Sequence, residues 1–139
     1  MWRRKTKASR PADWFALAEE RLKATDPLWT HESVTPAGIE CLQELVERFL
    51  KGYLVAKGWR LIKTHDLERL VSEARQYNVR FSAFVSLAEQ PKADFFAQHY
   101  PGGDLTSMGL NYETLRQQTG EMIELIKQEL PQYFQNPQS

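Results

Sequence analysis

The stretch from Leu42 to Tyr53 constrains the fold more than any other part of the sequence. Its apolar residues recur with the spacing of one helical face, and charged residues lie between them. Glu47 precedes Lys51 by four residues, the order that favours an ion pair on a helix. Such a helix must bury its apolar face against other elements, so the stretch predicts the central helix of a helical domain. The expected buried residues are Leu42, Leu45, Val46, Phe49, Leu50 and Tyr53.

Turn and capping residues predict the boundaries of the first two helices. The first helix is expected to start near Ser9–Pro11, and Pro27 should end or bend it. After a loop, Thr35-Pro36 should start the second helix, which runs to about Lys57 and ends at Gly58. The expected buried stripe of the first helix is Trp14, Leu17, Ala18 and Leu22.

A third helix is predicted from about His65 to Gln76. Thr64 should cap its N-terminus, and Asp66 would then lie in the first turn, where the helix dipole favours a negative charge. The apolar residues of this helix that should be buried are Leu67, Leu70, Val71 and Ala74.

The last third of the chain predicts an aromatic-rich element and a final helix. Pro91 should kink or split the aromatic element, and the stretch Tyr100–Asp104 has strong turn chemistry. The final helix should be capped by Asn111, start near Tyr112 and be limited by Pro131. The buried residues of this part should be Phe81, Phe84, Phe95, Phe96, Leu115, Met122, Leu125 or Ile126, and Leu130.

No stretch of the sequence alternates in the manner of a strand, and no repeat occurs. The helical periods and short loops predict an all-α, up-and-down bundle of four to five helices. One domain is expected over residues 9–135, between flexible ends at 1–8 and 136–139. The first segment carries the cations Arg3, Arg4, Lys5 and Lys7. We expect a solvated, frayed terminus there, and a nucleic-acid-binding arm is the alternative.

The composition narrows the function classes. The 18 basic and 18 acidic side chains cancel, so contact with RNA would have to be local. Cys41 has no second cysteine to pair with, no membrane-spanning or signal-peptide stretch occurs, and a cytoplasmic location is expected. The three histidines are scattered and show no metal-ligand spacing, so neither a metal site nor a cofactor is predicted.

Three segments of the chain together resemble the HEPN domain family. They are Trp14–Ala24, then Glu47–Leu67, which includes Gly58-Trp59 and the Lys-Thr-His-Asp-Leu run from Lys63, and finally Tyr100–Asp104. Their order and spacing match the family, and together with the stretches between them they span most of the chain. The resemblance implies a helical bundle that forms a homodimer and, in members encoded beside one, a minimal nucleotidyltransferase as partner.

The resemblance also implies a candidate catalytic pair, Arg60 and His65. In one branch of the family, an arginine followed after four to six residues by a histidine forms a metal-independent ribonuclease site, and four residues separate this pair. A histidine can take the proton of a ribose 2′-hydroxyl, and an arginine can neutralise the charge that develops on the phosphate.

Two positions depart from the catalytic pattern. Leu61 follows the arginine, where catalytic members carry a small polar residue, and Leu67 stands where a related group has a tyrosine that accepts AMP. The Thr-His-Asp-Leu form also resembles members in which the histidine anchors the turn between two helices. Arg60, in turn, could stack on Trp59.

Two functions follow from these observations. The preferred one is a dimeric HEPN protein that binds a nucleotide or a minimal nucleotidyltransferase, in a toxin–antitoxin-like pair. The alternative is a metal-independent RNase toxin that uses Arg60 and His65. The charged face of the second helix should be solvated or lie at the rim of a dimer interface. The residues expected to line a binding or dimer cleft are Glu47, Lys51, Trp59, Asp66 and Tyr100.

Overall fold

The computed structural model describes residues 7–29, 36–85, 88 and 106–134. In these residues it contains α-helices and short 3-10 helices and no strand, which confirms the predicted all-α bundle. The α-helices are α1 (Pro11–Trp29), α2 (Pro36–Ala56), α3 (Leu67–Tyr77) and α4 (Thr106–Glu129). The 3-10 helices are Val79–Phe84 and Pro131–Tyr133. No helix among the described residues is both long enough and apolar enough to cross a membrane.

Helix α2 forms the centre of the core, as its sequence pattern predicts. All six of its predicted apolar positions, Leu42 to Tyr53, have no solvent-exposed surface. α1 packs along one side of α2, α3 packs on another, and α4 contacts it as well. Gly58 follows the end of α2 with a φ of 90°, which confirms the left-handed residue expected there. The predicted buried residues of α3 and α4 are also buried, as are Phe81 and Phe84.

The buried face of helix α1 is shifted from the predicted one. Ala18 is buried as predicted and the half-buried Leu22 packs against the core, but Phe15 is buried in place of Trp14 and Leu17, which are only half-buried, so the prediction for those two residues is wrong. The reason is the close approach of α1 to Gly52 on α2. A Cβ atom at Gly52 would lie only 2.6 Å from the Phe15 ring, so the missing side chain makes room for that ring.

Two helix boundaries also differ from the predicted ones. α1 runs past Pro27 to Trp29, since a proline in the last turn removes only one backbone hydrogen bond from a helix that is already formed. α4 starts at Thr106, so Asn111 lies inside the helix and is not its cap. A capping residue type is a weak local signal, which the packing of a long helix overrides. The predicted positions Pro91, Phe95, Phe96 and Tyr100 lie outside the described residues.

Glu129, the last residue of α4, connects the ends of three helices. Tyr53 of α2 donates its hydroxyl hydrogen to Oε1 of Glu129 at 3.1 Å, and Asn78, which caps the C-terminus of α3, donates to Oε2 at 3.1 Å. Lys57 Nζ lies 3.5 Å from Oε1. Burial, and then the hydrogen bond to this carboxylate, raise the pKa of the Tyr53 phenol well above its ordinary value.

Candidate functional site

The segment between α2 and α3, residues 59–66, forms the corner that carries both candidate catalytic residues. Its first residue is fixed by a hydrogen bond from Trp59 N to Leu54 O at 2.9 Å. The Trp59 side chain is half-buried and packs against the core. Among the described residues no cation–π contact joins Arg60 to this ring. The first residue of the segment is therefore held against α2, and its last residue directly precedes α3.

Asp66 is the N-cap of α3, and the predicted cap at Thr64 is wrong. Oδ1 of Asp66 accepts hydrogen bonds from the backbone N–H groups of Glu68 and Arg69, at 3.1 Å and 3.4 Å. Thr64 instead accepts from Asp66 N at 3.1 Å, in a turn just before the helix. The helix accordingly starts at Leu67, and His65 lies outside it. The role of Asp66 within the described residues is to fix the direction in which α3 leaves the corner.

His65 is exposed to solvent and held at one ring nitrogen. The side chain is 91% exposed, and its Nδ1 lies 2.8 Å from Oε1 of Glu47, a residue of α2. An ionised carboxylate can only accept a hydrogen bond, so Nδ1 carries the hydrogen. In a neutral ring, Nε2 then bears the free lone pair on the open side. This is the arrangement of a base held by a carboxylate.

Glu47, whose carboxylate contacts His65, also forms an ion pair with the buried Lys51. Lys51 Nζ lies 3.1 Å from Oε2 of Glu47, which confirms the predicted ion pair, and the Lys51 side chain is only 6% exposed. The prediction of a solvated or rim position for Lys51 is therefore wrong. The ring of Trp14 covers this ammonium, with 5.4 Å from Nζ to the ring centroid. Lys51, Glu47 and His65 thus form a chain of contacts from the core to the surface.

Arg60 is exposed and lies in the same segment as His65. Within the described part of the chain, Arg60 makes no hydrogen bond or ion pair, and no contact joins it to His65. Its guanidinium is thus available for an external anion. Leu61, which follows it, is half-buried.

A cleft of about 350 Å³ lies on the α3 side of His65. That volume is within the range of small-molecule sites, roughly 300–1,000 Å³. Carboxylates of Asp66 and Glu68 line it, and Arg60 is not among its walls. Such a lining suits hydroxyl groups, for example those of a ribose, better than phosphates. The remaining walls are Gln43, His65, Leu67 and Ala88.

The structure thus brings four of the seven predicted site residues together by contact or in one cleft, and two more share their segment. Glu47, Lys51 and His65 form a connected set, Asp66 adjoins it along the chain, and Trp59 starts the same segment. Arg60 shares the segment without a contact, and Tyr100 lies outside the described residues. Sequence reasoning missed Trp14 as the cover of Lys51. Among the described residues, no three His, Cys, Asp or Glu side chains are grouped to hold a metal ion.

Comparison with known families and proteins identifies the family of this chain. The model of the HEPN domain matches residues 12–129, which include all the helices that form the corner. No match was found among curated proteins or among solved structures. Because the family match extends over most of the sequence, the chain belongs to the HEPN domain family.

Proposed function

We propose that this HEPN protein is a metal-independent endoribonuclease, acting as the toxin of a toxin–antitoxin-like pair, with His65 as its base. The observation that carries the proposal is the contact of 2.8 Å between His65 Nδ1 and Glu47, on a ring that is 91% exposed. A histidine that only anchored the turn would have its ring packed in the protein. The exposed ring favours a chemical role over the anchoring role that the Thr-His-Asp-Leu form suggested.

The reaction is a transesterification within RNA. Nε2 of His65 takes the proton from a ribose 2′-hydroxyl, and the resulting oxygen attacks the adjacent phosphorus. The bond to the 5′-oxygen of the next nucleotide breaks, and that oxygen takes a proton from water or from a second histidine. The products are a 2′,3′-cyclic phosphate and a 5′-hydroxyl. Arg60 neutralises the charge that develops on the phosphate oxygens.

Glu47 has two parts in this reaction. Its carboxylate fixes the Nδ1 hydrogen, so that Nε2 is the nitrogen that faces the substrate. It also stabilises the imidazolium that forms when Nε2 takes the proton, as the buried aspartate of a serine protease does. Lys51 keeps the carboxylate in place, since its buried ammonium leaves Oε1 of Glu47 free for His65.

Homodimer formation belongs to the same proposal. HEPN domains commonly dimerise, and a two-fold interface near α2 would bring two copies of the corner together. The Arg60 of one copy could then face the His65 of the other, which fits the absence of a contact between them within one described chain. Sedimentation should give a species of twice 16.2 kDa at tens of micromolar. A single species of 16.2 kDa would contradict the dimer.

Two observations favour a second function, that of a nucleotide-binding partner of a minimal nucleotidyltransferase. The cleft beside His65 has carboxylate walls that suit ribose hydroxyls, and Leu61 gives no polar group beside Arg60. In that case the corner would bind a nucleotide without cleaving RNA. Isothermal titration with AMP and ATP, on wild type and on Glu68→Ala, tests this function separately.

The test of the ribonuclease is cleavage of a labelled RNA in EDTA by purified wild type, His65→Ala and Arg60→Ala. We expect wild type to leave a 2′,3′-cyclic phosphate, and each variant to be slower by roughly 10²-fold or more. Gln76→Ala, an exposed change on α3, is the control and should cleave at the wild-type rate. A wild type that leaves RNA intact, with a stable fold, would refute the proposal.

A further inference from the structure

We propose that Trp14 is a positioning residue of the Glu47–His65 pair, because its ring keeps water from the Lys51 ammonium and so holds the Glu47 carboxylate in place for His65. The inference rests on the proposed ribonuclease function and names a residue that this reaction needs although it does not touch the substrate. The sequence predicted Trp14 for the core, but the structure leaves it half-buried, with its ring on Lys51.

The Trp14 ring is held in place from the N-terminal side of α1. Its Nε1 donates a hydrogen bond to Ala8 O at 2.8 Å, and Ala8 lies in a turn before the helix. The backbone N–H of Lys7 donates to Oδ2 of Asp13 at 2.8 Å, and Asp13 is a buried residue of α1. The edge of the indole is therefore fixed by a turn that is itself tied to α1.

The face of the same ring lies against Lys51. Nζ of Lys51 is 5.4 Å from the ring centroid, and the Lys51 side chain is 6% exposed. An ammonium is attracted to the negative face of an aromatic ring, and the attraction is stronger where water is excluded. The ion pair of Lys51 with Oε2 of Glu47, at 3.1 Å, is strengthened by the same exclusion, since charges attract more strongly away from solvent. The cover thus determines how firmly Glu47 is held.

Glu47 connects this covered pair to the exposed histidine. Its Oε2 binds Lys51 while its Oε1 contacts Nδ1 of His65 at 2.8 Å. Without the cover, water reaches Lys51, the ammonium turns to solvent, and the carboxylate gains other orientations. The neutral His65 ring then loses the acceptor that favours a hydrogen on Nδ1 and populates both tautomers. In the tautomer with the hydrogen on Nε2, that nitrogen cannot take a proton from RNA.

The test compares Trp14→Leu with Trp14→Phe in the full-length protein. Leucine removes the aromatic face, whereas phenylalanine keeps a ring for Lys51 and loses the indole N–H that binds Ala8 O. Leu22→Ala is the control for a general loss of packing, since Leu22 is half-buried against the core about two turns further along α1.

The first measurement is the nitrogen-15 NMR spectrum of the His65 ring at about pH 8.5, where an ordinary imidazole is neutral. The signals are assigned by their absence in His65→Ala. We expect wild type, Trp14→Phe and Leu22→Ala to show mainly a protonated Nδ1 and a bare Nε2. Trp14→Leu should shift toward a mixture of the two tautomers.

The second measurement is cleavage of labelled RNA in EDTA. Trp14→Leu should lower kcat by about 10-fold with little change in KM, because it disturbs the base and not the binding of RNA. Trp14→Phe and Leu22→Ala should stay within about 3-fold of the wild-type kcat, since both keep an aromatic ring for Lys51.

The outcomes separate the inference from the function on which it rests. If Trp14→Leu keeps both the tautomer and the kcat of wild type, the inference is overturned while the ribonuclease stands. If wild type cleaves no RNA, the proposed function fails, and the ring spectrum alone decides the role of Trp14. Equal changes in Leu22→Ala and Trp14→Leu would show a general loosening of α1 and overturn the inference, as would equal changes in both Trp14 variants.

Discussion

The Nδ1 atom of His65 lies 2.8 Å from Oε1 of Glu47, although the two residues are 18 positions apart and lie on different elements. The contact links the exposed corner to the centre of the bundle, because Glu47 is a residue of α2. It gives the imidazole ring an orientation that a lone surface histidine lacks. The carboxylate of Glu47 orients the ring, and in the neutral form it favours the tautomer with the hydrogen on Nδ1 and the lone pair on Nε2.

Glu47→Gln tests the part of the carboxylate in the proposed reaction. The amide keeps the shape and an acceptor oxygen for His65, but it loses the charge that stabilises the imidazolium. We expect kcat to fall by about 10-fold or more with little change in KM, since a carboxylate-to-amide change beside a catalytic histidine can lower kcat by up to ~10⁴. Thermal melts should verify that the variant is folded at the assay temperature. A kcat equal to that of wild type would remove Glu47 from the mechanism.

Lys51→Met tests the buried ion pair between Lys51 and Glu47. The substitution keeps the length of the side chain but leaves the carboxylate of Glu47, which is only 16% exposed, without its cation. Breaking a buried pair in this way costs about 3–5 kcal/mol of the free energy of unfolding, measured by urea denaturation.

Lys23→Met provides the control for this change, since Lys23 is exposed on α1 and its loss should stay within about 0.5 kcal/mol. The double variant Lys51→Met/Glu47→Leu should recover most of the lost stability, because it leaves no unpaired charge. Equal stabilities of Lys51→Met and Lys23→Met would show that the pair contributes nothing to the fold.

The sequence predicted the parts of the fold that local patterns determine. α2 has a clear helical period, and all six apolar residues predicted for its buried face are buried, although Lys51 and Leu54 are buried there as well. Trp14 and Phe15 are adjacent large apolar residues, so the period alone does not decide which one faces the core; Gly52, far away in sequence, decides it. Thr64 and Asp66 are both capping types two residues apart, and only the three-dimensional path of the segment selects between them. The contact of Glu47 with His65 joins two elements, and local spacing carries no signal for it.

Asp66→Ala tests the cap of α3. The variant loses the acceptor for the backbone N–H groups of Glu68 and Arg69, and we expect a loss of about 0.5–2 kcal/mol in the free energy of unfolding. Thr64→Ala should cost less, because Thr64 accepts only one hydrogen bond, from Asp66 N. If Thr64→Ala proved the more damaging, the helix would begin at the position that the sequence predicted.

Gly52→Ala tests the close approach of α1 and α2. The new methyl group would lie 2.6 Å from the Phe15 ring, and such overpacking costs typically ~1–3 kcal/mol. The higher helix propensity of alanine relative to glycine stabilises α2 by at most ~1 kcal/mol, so we expect a net loss of stability. Gly120→Ala on α4 is the matched control, since nothing lies within 4 Å of its Cβ position, and it should be neutral or stabilising. A Gly52→Ala variant as stable as the Gly120→Ala variant would mean that the two helices lie further apart.

Tyr53→Phe tests the pH dependence that follows from the buried phenol. Burial and the hydrogen bond to Glu129 raise the pKa of Tyr53 in the folded protein, whereas in the unfolded chain it stays near its ordinary value of about 10. The unfolded state therefore releases this proton first, so the stabilising contribution is complete below about pH 10 and is lost as the pH rises further.

At neutral pH, Tyr53→Phe should lower the free energy of unfolding by roughly 1 kcal/mol, because the hydrogen bond to Glu129 is lost. Above about pH 10 its stability should fall less steeply than that of wild type, in urea denaturation at successive pH values. Tyr77→Phe, at a side chain that is 42% exposed, removes only the smallest of the influences that raise the pKa of Tyr53 and should change the alkaline slope less than Tyr53→Phe does. Parallel slopes for wild type and Tyr53→Phe would show that another group causes the alkaline loss.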